Sequence, residues 1–212
     1  MMIRPRRLVA ILAVAVIAAI AAVAPSAKAQ TAGSLPPVTA ADHVLGRADA
    51  PVTVVEYASF TCPHCATFHN DVLPAFKARY IDTGQVRLAY RNLPTQPANI
   101  AAADAAVALC AAPGKYFDVV SAFMHNQEGL RSTGAPPWFE LGIAASGKTH
   151  DEMETCLETP ATRETLGAQI QGARAAGVAG TPAFFVNGAP VRDQRSFARG
   201  RIARAEIINF CF

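Results

Sequence analysis

The chain has 212 residues, of which 51% are hydrophobic, 17% charged and 8% aromatic. That excludes a disordered chain, which would be poor in apolar residues and rich in charge, and 14 glycines with 15 prolines exclude a collagen-like repeat. The net charge of +3 sits at the start: Arg4, Arg6, Arg7 and Lys28 fall in 29 residues that hold no acid, and the remainder has 15 basic against 16 acidic residues, a balance that argues against nucleic-acid binding.

Residues 1–29 read as an export signal. Three arginines form a positive start, Leu8 to Ala24 is an unbroken apolar run of 17 residues, and Ala27-Lys28-Ala29 is a small-x-small cleavage site. A membrane span needs roughly 20 apolar residues, so cleavage after Ala29 is expected, with an uncleaved anchor as the alternative. The mature protein is then expected in an oxidising compartment, a bacterial periplasm.

Residues 30–43 are rich in Pro, Ala and Thr and read as a loose lead-in. Val52 to Ala58 (VTVVEYA) is β-branched, aromatic and apolar on both faces, which predicts a central strand. Cys62-Pro63-His64-Cys65 follows. Cys65, Phe68, His69, Val72, Leu73, Phe76 and Tyr80 then recur at helical spacing. Pro63 suits the first turn of that helix, and Pro74 should kink it. Asp82-Thr83-Gly84 predicts a turn, and Val86, Leu88 and Tyr90 alternate as a second strand.

From Pro97 to Ala176 the pattern is helical. Ile100, Ala103, Val107 and Cys110 mark one stripe, and Tyr116, Phe117, Val120, Phe123 and Met124 a second. Pro136-Pro137-Trp138 opens a third helix, His150 to Glu158 is a fourth, and Pro160 to Ala176 a fifth. Strand character returns at Ala183 to Val186. Asn187-Gly188 then signals a hairpin, with Val191 beginning the return strand and a helix expected to end the fold.

The chemistry points to sulfur. A thiolate is the nucleophile of disulfide exchange. Cys62 stands where a strand becomes a helix, so unsatisfied backbone N–H groups and the positive helix end face it. Cys65 lies one turn on, placed to close a small ring and to resolve a mixed disulfide. His64 between them can add positive charge or a donor near Cys62.

The run Glu56-Tyr57-Ala58-Ser59-Phe60-Thr61-Cys62-Pro63-His64-Cys65, with Gly180-Thr181-Pro182 before a strand, resembles the DsbA-like thioredoxin family. The similarity covers most of residues 42–192. It implies an α/β thioredoxin fold with an inserted all-helical domain. The fold would be divided as 30–96, the helical insertion 97–176, and 177–212 with a cis-proline loop, a hairpin and an atypical tail. It implies Cys62 as nucleophile, Cys65 as resolving thiol, and Pro182 as a cis-proline facing the disulfide. Thr181 would present backbone groups to an extended substrate peptide. Glu56 falls where the family carries a buried acid, which could accept the proton of Cys65, in one version through a water. No cofactor is implied beyond the redox-active Cys62–Cys65 disulfide. The expected partners are folding exported proteins and a membrane quinone-linked oxidase.

A strong oxidant of this chemistry has a thiolate pKa of about 3.5. That is about 3.5 units below neutrality, or on the order of 100 mV of the roughly 150 mV separating thioredoxin from such an oxidant. An oxidant is therefore expected. The alternatives are an isomerase or reductase working from the dithiol, and a non-catalytic peptide- or metal-binding module. The short lead-in disfavours a dimeric isomerase, and a glutathione-using enzyme would normally lack the second cysteine. Cys62, His64, Cys65 and His69 could be drawn as zinc ligands, but the spacing is cramped and no metal is expected; His69 reads better as a packed core residue. Cys110 and Cys156, each on an apolar helix face, could form a structural disulfide or remain free thiols. The tail carries Arg192, Arg195, Arg199, Arg201 and Arg204 and ends in apolar residues with Cys211. It departs from the family's terminal amphipathic helix, through a shifted reading frame after Phe197 or as a functional basic segment.

Overall fold

The computed structural model describes residues 35–133 and 135–191, together with Asp193, Arg195 and Phe197. The expected export signal and most of the tail, including Cys211, lie outside the described residues. Among the described residues no helix is long and apolar enough to cross a membrane.

Among the described residues five strands form one mixed sheet: β1 (His43–Leu45), β2 (Val52–Ala58), β3 (Val86–Asn92), β4 (Ala183–Val186) and β5 (Ala189–Pro190), in the order β1-β3-β2-β4-β5. β2 and β3 run parallel in register from Val52 opposite Val86 to Ala58 opposite Asn92, and β2 is antiparallel to β4. Parallel neighbours need a crossover, supplied by the helical segment 63–81. It comprises α1 (Pro63–Thr67), a π-helical turn (Phe68–Val72), α2 (Leu73–Phe76) and a second π-helical turn (Lys77–Ile81). The break expected at Pro74 thus comes just ahead of it: Pro74 sits in the first turn of α2, where its missing N–H costs nothing, and the preceding wide turn accommodates its ring.

Period-two alternation assigns the two faces of β2. Val52 and Val54 point with Phe68, Leu73, Phe76 and Ile81 into the core under the crossover. Val55 and Tyr57 point the other way, against Ala173 and Ala176. Glu56 lies between Val54 and Ala58 and therefore shares the face covered by α1. β3, predicted from its alternation, is covered on both faces, as suits a strand between two neighbours.

The helical block lies between β3 and β4: α3 (Ala98–Leu109), α4 (Tyr116–His125), α5 (Gln127–Thr133), α6 (Ala135–Ala145), α7 (His150–Glu158) and α8 (Pro160–Ala175). There are six helices where the periodicity predicted five; α5 (QEGLRST) has too few apolar residues to show a stripe. Trp138 stacks on Phe123 and donates through Nε1 to Asp104 at 2.8 Å. A Cβ on Gly142 would overlap the Phe123 ring, so the close α4–α6 approach depends on that glycine. Thr149 and Glu152 form a reciprocal cap on α7. The Asn187-Gly188 turn has the two positive φ values, 47° and 86°, that its hairpin requires.

The lead-in is a correction. Its last part is not loose, and β1 was not foreseen. Arg91 of β3 donates from Nε and Nη2 to both carboxylate oxygens of Asp42 at 2.7 and 3.0 Å, and from its Nη atoms to the carbonyls of Pro36 and Pro37 at 2.9 Å. A buried guanidinium needs all its donors satisfied, and the lead-in supplies most of the acceptors. Of the expected terminal helix, Arg195 and Phe197 are described as helical; the Phe197 N–H donates to the Asp193 carbonyl at 3.0 Å, and its ring is buried against Phe68, Phe76 and Phe184.

Candidate active site

β2 ends at Ala58, and the chain turns through Ser59, Phe60 and Thr61 into α1. The Cys62 N–H donates to the Ser59 carbonyl at 3.1 Å, and the Thr61 hydroxyl lies 3.2 Å from the carbonyls of Thr95 and Gln96. Cys62 is the N-cap of α1 in an extended conformation (φ −84°, ψ 118°), with Pro63 following in the first turn. Its own side chain makes no cap, so the first N–H groups of the helix remain available to its sulfur.

The two thiols are free and differ in exposure: Cys62 is half-buried, Cys65 fully buried. Hydrogen bonding from the Cys65 thiol does most to pull the Cys62 pKa down to about 5, against the effect of burial; the Thr181 side chain and the backbone N–H groups of Cys65 and His64 add to it. Cys65 is pushed well up, first by burial, then by the Cys62 sulfur and the charge of Glu56. One sulfur is held as an anion and the other keeps its proton.

Residues 181–182 close the site from the β4 side. The Thr181–Pro182 peptide is cis, and the Cys62 thiol donates to the Thr181 carbonyl at 3.3 Å. Thr181 Oγ1 is buried without a partner while Cys62 is a thiol. When the sulfur ionises it stops donating, and this hydroxyl can donate to it. The Gln96–Pro97 peptide, at the entrance to α3, is also cis and was not foreseen.

Glu56 is fully buried, opposite Tyr90 on β3 and Phe184 on β4. Its Oε2 lies 3.0 Å from Nε2 of His69, and its Oε1 has no partner. His69 is the core histidine predicted, but it is tied to an acid; the signal was its position four residues after Cys65, on the same side of the helix. Of the four residues that could be drawn as zinc ligands, His69 turns inward to Glu56 while His64 is exposed. His64 contributes its backbone N–H to the Cys62 anion. Cys110 and Cys156 are joined as a disulfide in the helical block, within the same hydrophobic cluster that holds Cys65.

One neighbour of the nucleophile had no signal in the sequence. Gln127, at the start of α5, donates through Nε2 to the carbonyls of Phe60 at 2.5 Å and Cys62 at 3.0 Å. Nothing local to Gln127 announces a contact 65 residues away.

Residues 38–201 match the family described as Thioredoxin. A Rickettsia bellii protein named for protein-disulfide oxidoreductase activity is 34% identical over 152 residues, covering 69% of this chain and 57% of that protein. The chain thus spans little more than half the length of the rickettsial relatives it matches. The structure of oxidised BdbD from Bacillus subtilis superposes with a TM-score of 0.73 at 21% identity, over 85% of this chain and 98% of that one. The structure of alpha-DsbA1 from Wolbachia pipientis gives a TM-score of 0.63 at 25% identity, over 82% and 83%.

Proposed function

The chain belongs to the thioredoxin family, in its DsbA-like group, and on that premise we propose that it is a thiol:disulfide oxidoreductase that passes a Cys62–Cys65 disulfide to cysteines of exported proteins in the periplasm. The observation that carries the reading is the division of roles between the two sulfurs. Cys62 is half-exposed with a pKa lowered to about 5, and Cys65 is buried with its pKa raised.

In the donor direction a substrate thiolate attacks Cys62 of the disulfide. The Cys62–Cys65 bond breaks, a mixed disulfide forms at Cys62, and Cys65 leaves with the electron pair and takes up a proton. Glu56, whose Oε1 is unpartnered on the face covered by α1, is the carboxyl we assign to relaying that proton, directly or through a water. A second substrate thiolate then attacks the substrate sulfur and expels Cys62. Cys62 leaves readily because its anion is stable. Two electrons have passed from the substrate dithiol to the protein, and an electron acceptor, in our reading a membrane quinone-linked oxidase, regenerates the disulfide. The cis-Pro182 loop, with its Thr181 carbonyl beside Cys62, supports strand-like capture of an extended substrate. The site needs no cofactor beyond the disulfide itself.

A second reading has one observation in its favour. A pKa of about 5 gives roughly a 100-fold excess of thiolate at pH 7, yet it lies between the values of about 3.5 and 7 that accompany a strong oxidant and thioredoxin. An isomerase or reductase acting from the dithiol form fits the upper part of that interval. Equilibration with glutathione decides. A potential nearer −120 mV than −270 mV supports the donor, and one close to about −270 mV overturns it in favour of the reductant. Equal insulin reduction by wild-type and Cys62→Ser protein would overturn both and leave a binding module.

A further inference from the structure

We propose that Gln127 is a positioning residue for the nucleophile: its side-chain amide reaches in from the helical block, clamps the carbonyls of Phe60 and Cys62, and so holds the turn into α1 in the conformation that aims backbone N–H groups at the Cys62 sulfur. This deepens, and rests on, the oxidoreductase reading.

The amide nitrogen has two hydrogens, and the two carbonyls it meets bracket Thr61, at 2.5 and 3.0 Å. The side chain is almost fully buried, and its Oε1 meets no partner. A reversed amide would set that oxygen against two carbonyl oxygens, so only one orientation is chemically acceptable. The unpartnered oxygen costs free energy, which a residue retained for packing alone need not incur.

The clamped carbonyl matters. Cys62 has no side-chain cap, and its carbonyl already accepts from Cys65 at 3.1 Å and Ala66 at 3.2 Å as the first acceptor of α1. Gln127 is a third donor on that oxygen. Without it, the turn loses its anchor to α5 and can rotate so that the N–H groups of His64 and Cys65 drift off the sulfur. A second clasp of the same kind provides a control. Asn70 Nδ2 donates to the Met124 carbonyl at 2.9 Å, also with a buried and unpartnered oxygen, and also between the crossover helix and the helical block, but it does not touch Cys62.

The test titrates the Cys62 thiolate by absorbance in the full chain, with wild type, Gln127→Leu, Gln127→Glu and Asn70→Ala side by side, and measures melting temperatures in parallel. Gln127→Leu should raise the midpoint by about one unit, a tenfold fall in the thiolate-to-thiol ratio at any pH. Asn70→Ala should lower the melting temperature and leave the midpoint in place. Gln127→Glu keeps the shape, should move the midpoint the same way, and remains measurable if the leucine variant does not fold. Gln127 variants that leave a wild-type midpoint near 5 unmoved, or move it no more than Asn70→Ala does, overturn the positioning role alone. A wild-type midpoint near the ordinary value of about 8.5 overturns the oxidant reading and this inference with it.

Discussion

Cys62 and Cys65 stand three residues apart at the mouth of a helix, while Cys110 and Cys156 stand 46 residues apart and are bonded between the end of α3 and α7. The first pair is asymmetric: one sulfur is half-exposed and faces the N–H groups of α1, and the other is buried beside an acid's influence. The second pair has no such helix start. Both its sulfurs lie against one hydroxyl, that of Thr162, at 3.5 and 3.7 Å, and Cys110 is buried among Ala105, Ala108 and Tyr116. The same element therefore serves two ends. A sulfur becomes reactive where its anion is stabilised and reachable, and it becomes a brace where its bond closes a long loop between packed helices.

The largest expected effect separates the pairs by activity. Cys62→Ser should abolish insulin reduction and disulfide donation to below a thousandth of wild type, because no other group in the site is a thiolate, and below about pH 5, where the thiolate adds no stability, it should melt within a few degrees of the reduced wild type. The double variant Cys110→Ala/Cys156→Ala should do the reverse. Opening a loop of 46 residues removes about 4 kcal/mol in the chain-entropy model, read by denaturant titration, with the Cys62 thiolate midpoint unchanged. If the double variant instead shifts that midpoint by a unit or more, the two pairs are coupled and the comparison fails.

The next effect sharpens the comparison through pH. The Cys62 pKa is about 5 in the folded dithiol, below the unfolded value of about 8.5. For a depressed acid the contribution to stability is fully present above the unfolded pKa and is lost as pH falls through the folded pKa. The reduced form should therefore gain stability relative to the disulfide form as pH rises from about 5 to 8.5, and this gain should vanish below about 5. Paired denaturant melts of the two redox forms across that interval check it. Cys62→Ser should flatten the dependence, whereas loss of the Cys110–Cys156 bond should not.

The legible parts of this molecule are those whose physics is local. Cys62-Pro63-His64-Cys65 after an apolar strand, Asn187-Gly188 between strands and the stripes of α3 and α4 all state their structure within a few residues. What escaped was decided at long range. β1 has three residues and exists because β3 offers it an edge, with Arg91 holding the segment ahead of it. α5 has a polar sequence and is placed by packing against α6 and by Gln127 beneath Cys62. His69 was legible as a core residue, but its partner Glu56 lies 13 residues earlier on another element, a distance that periodicity does not report. The two wide turns around Pro74 likewise depend on how the helix lies over the sheet, where the residue pattern alone indicated a single kink.

The smallest effect concerns the brace itself. The Thr162 hydroxyl sits near both sulfurs and also 3.3 Å from the Cys156 carbonyl. Thr162→Val keeps the shape and removes that hydroxyl, leaving the carbonyl with one partner fewer, at an expected cost of about 1 kcal/mol. Activity and the Cys62 midpoint should not change, since the hydroxyl touches the second pair and the Thr159 hydroxyl at 3.2 Å, and not the first pair. A stability loss that persists equally in the Cys110→Ala/Cys156→Ala background would assign the effect to the Cys156 carbonyl and the Thr159 hydroxyl. A loss that disappears there would show that the hydroxyl acts on the sulfurs, and the brace would then depend on a polar contact as well as on the loop it closes.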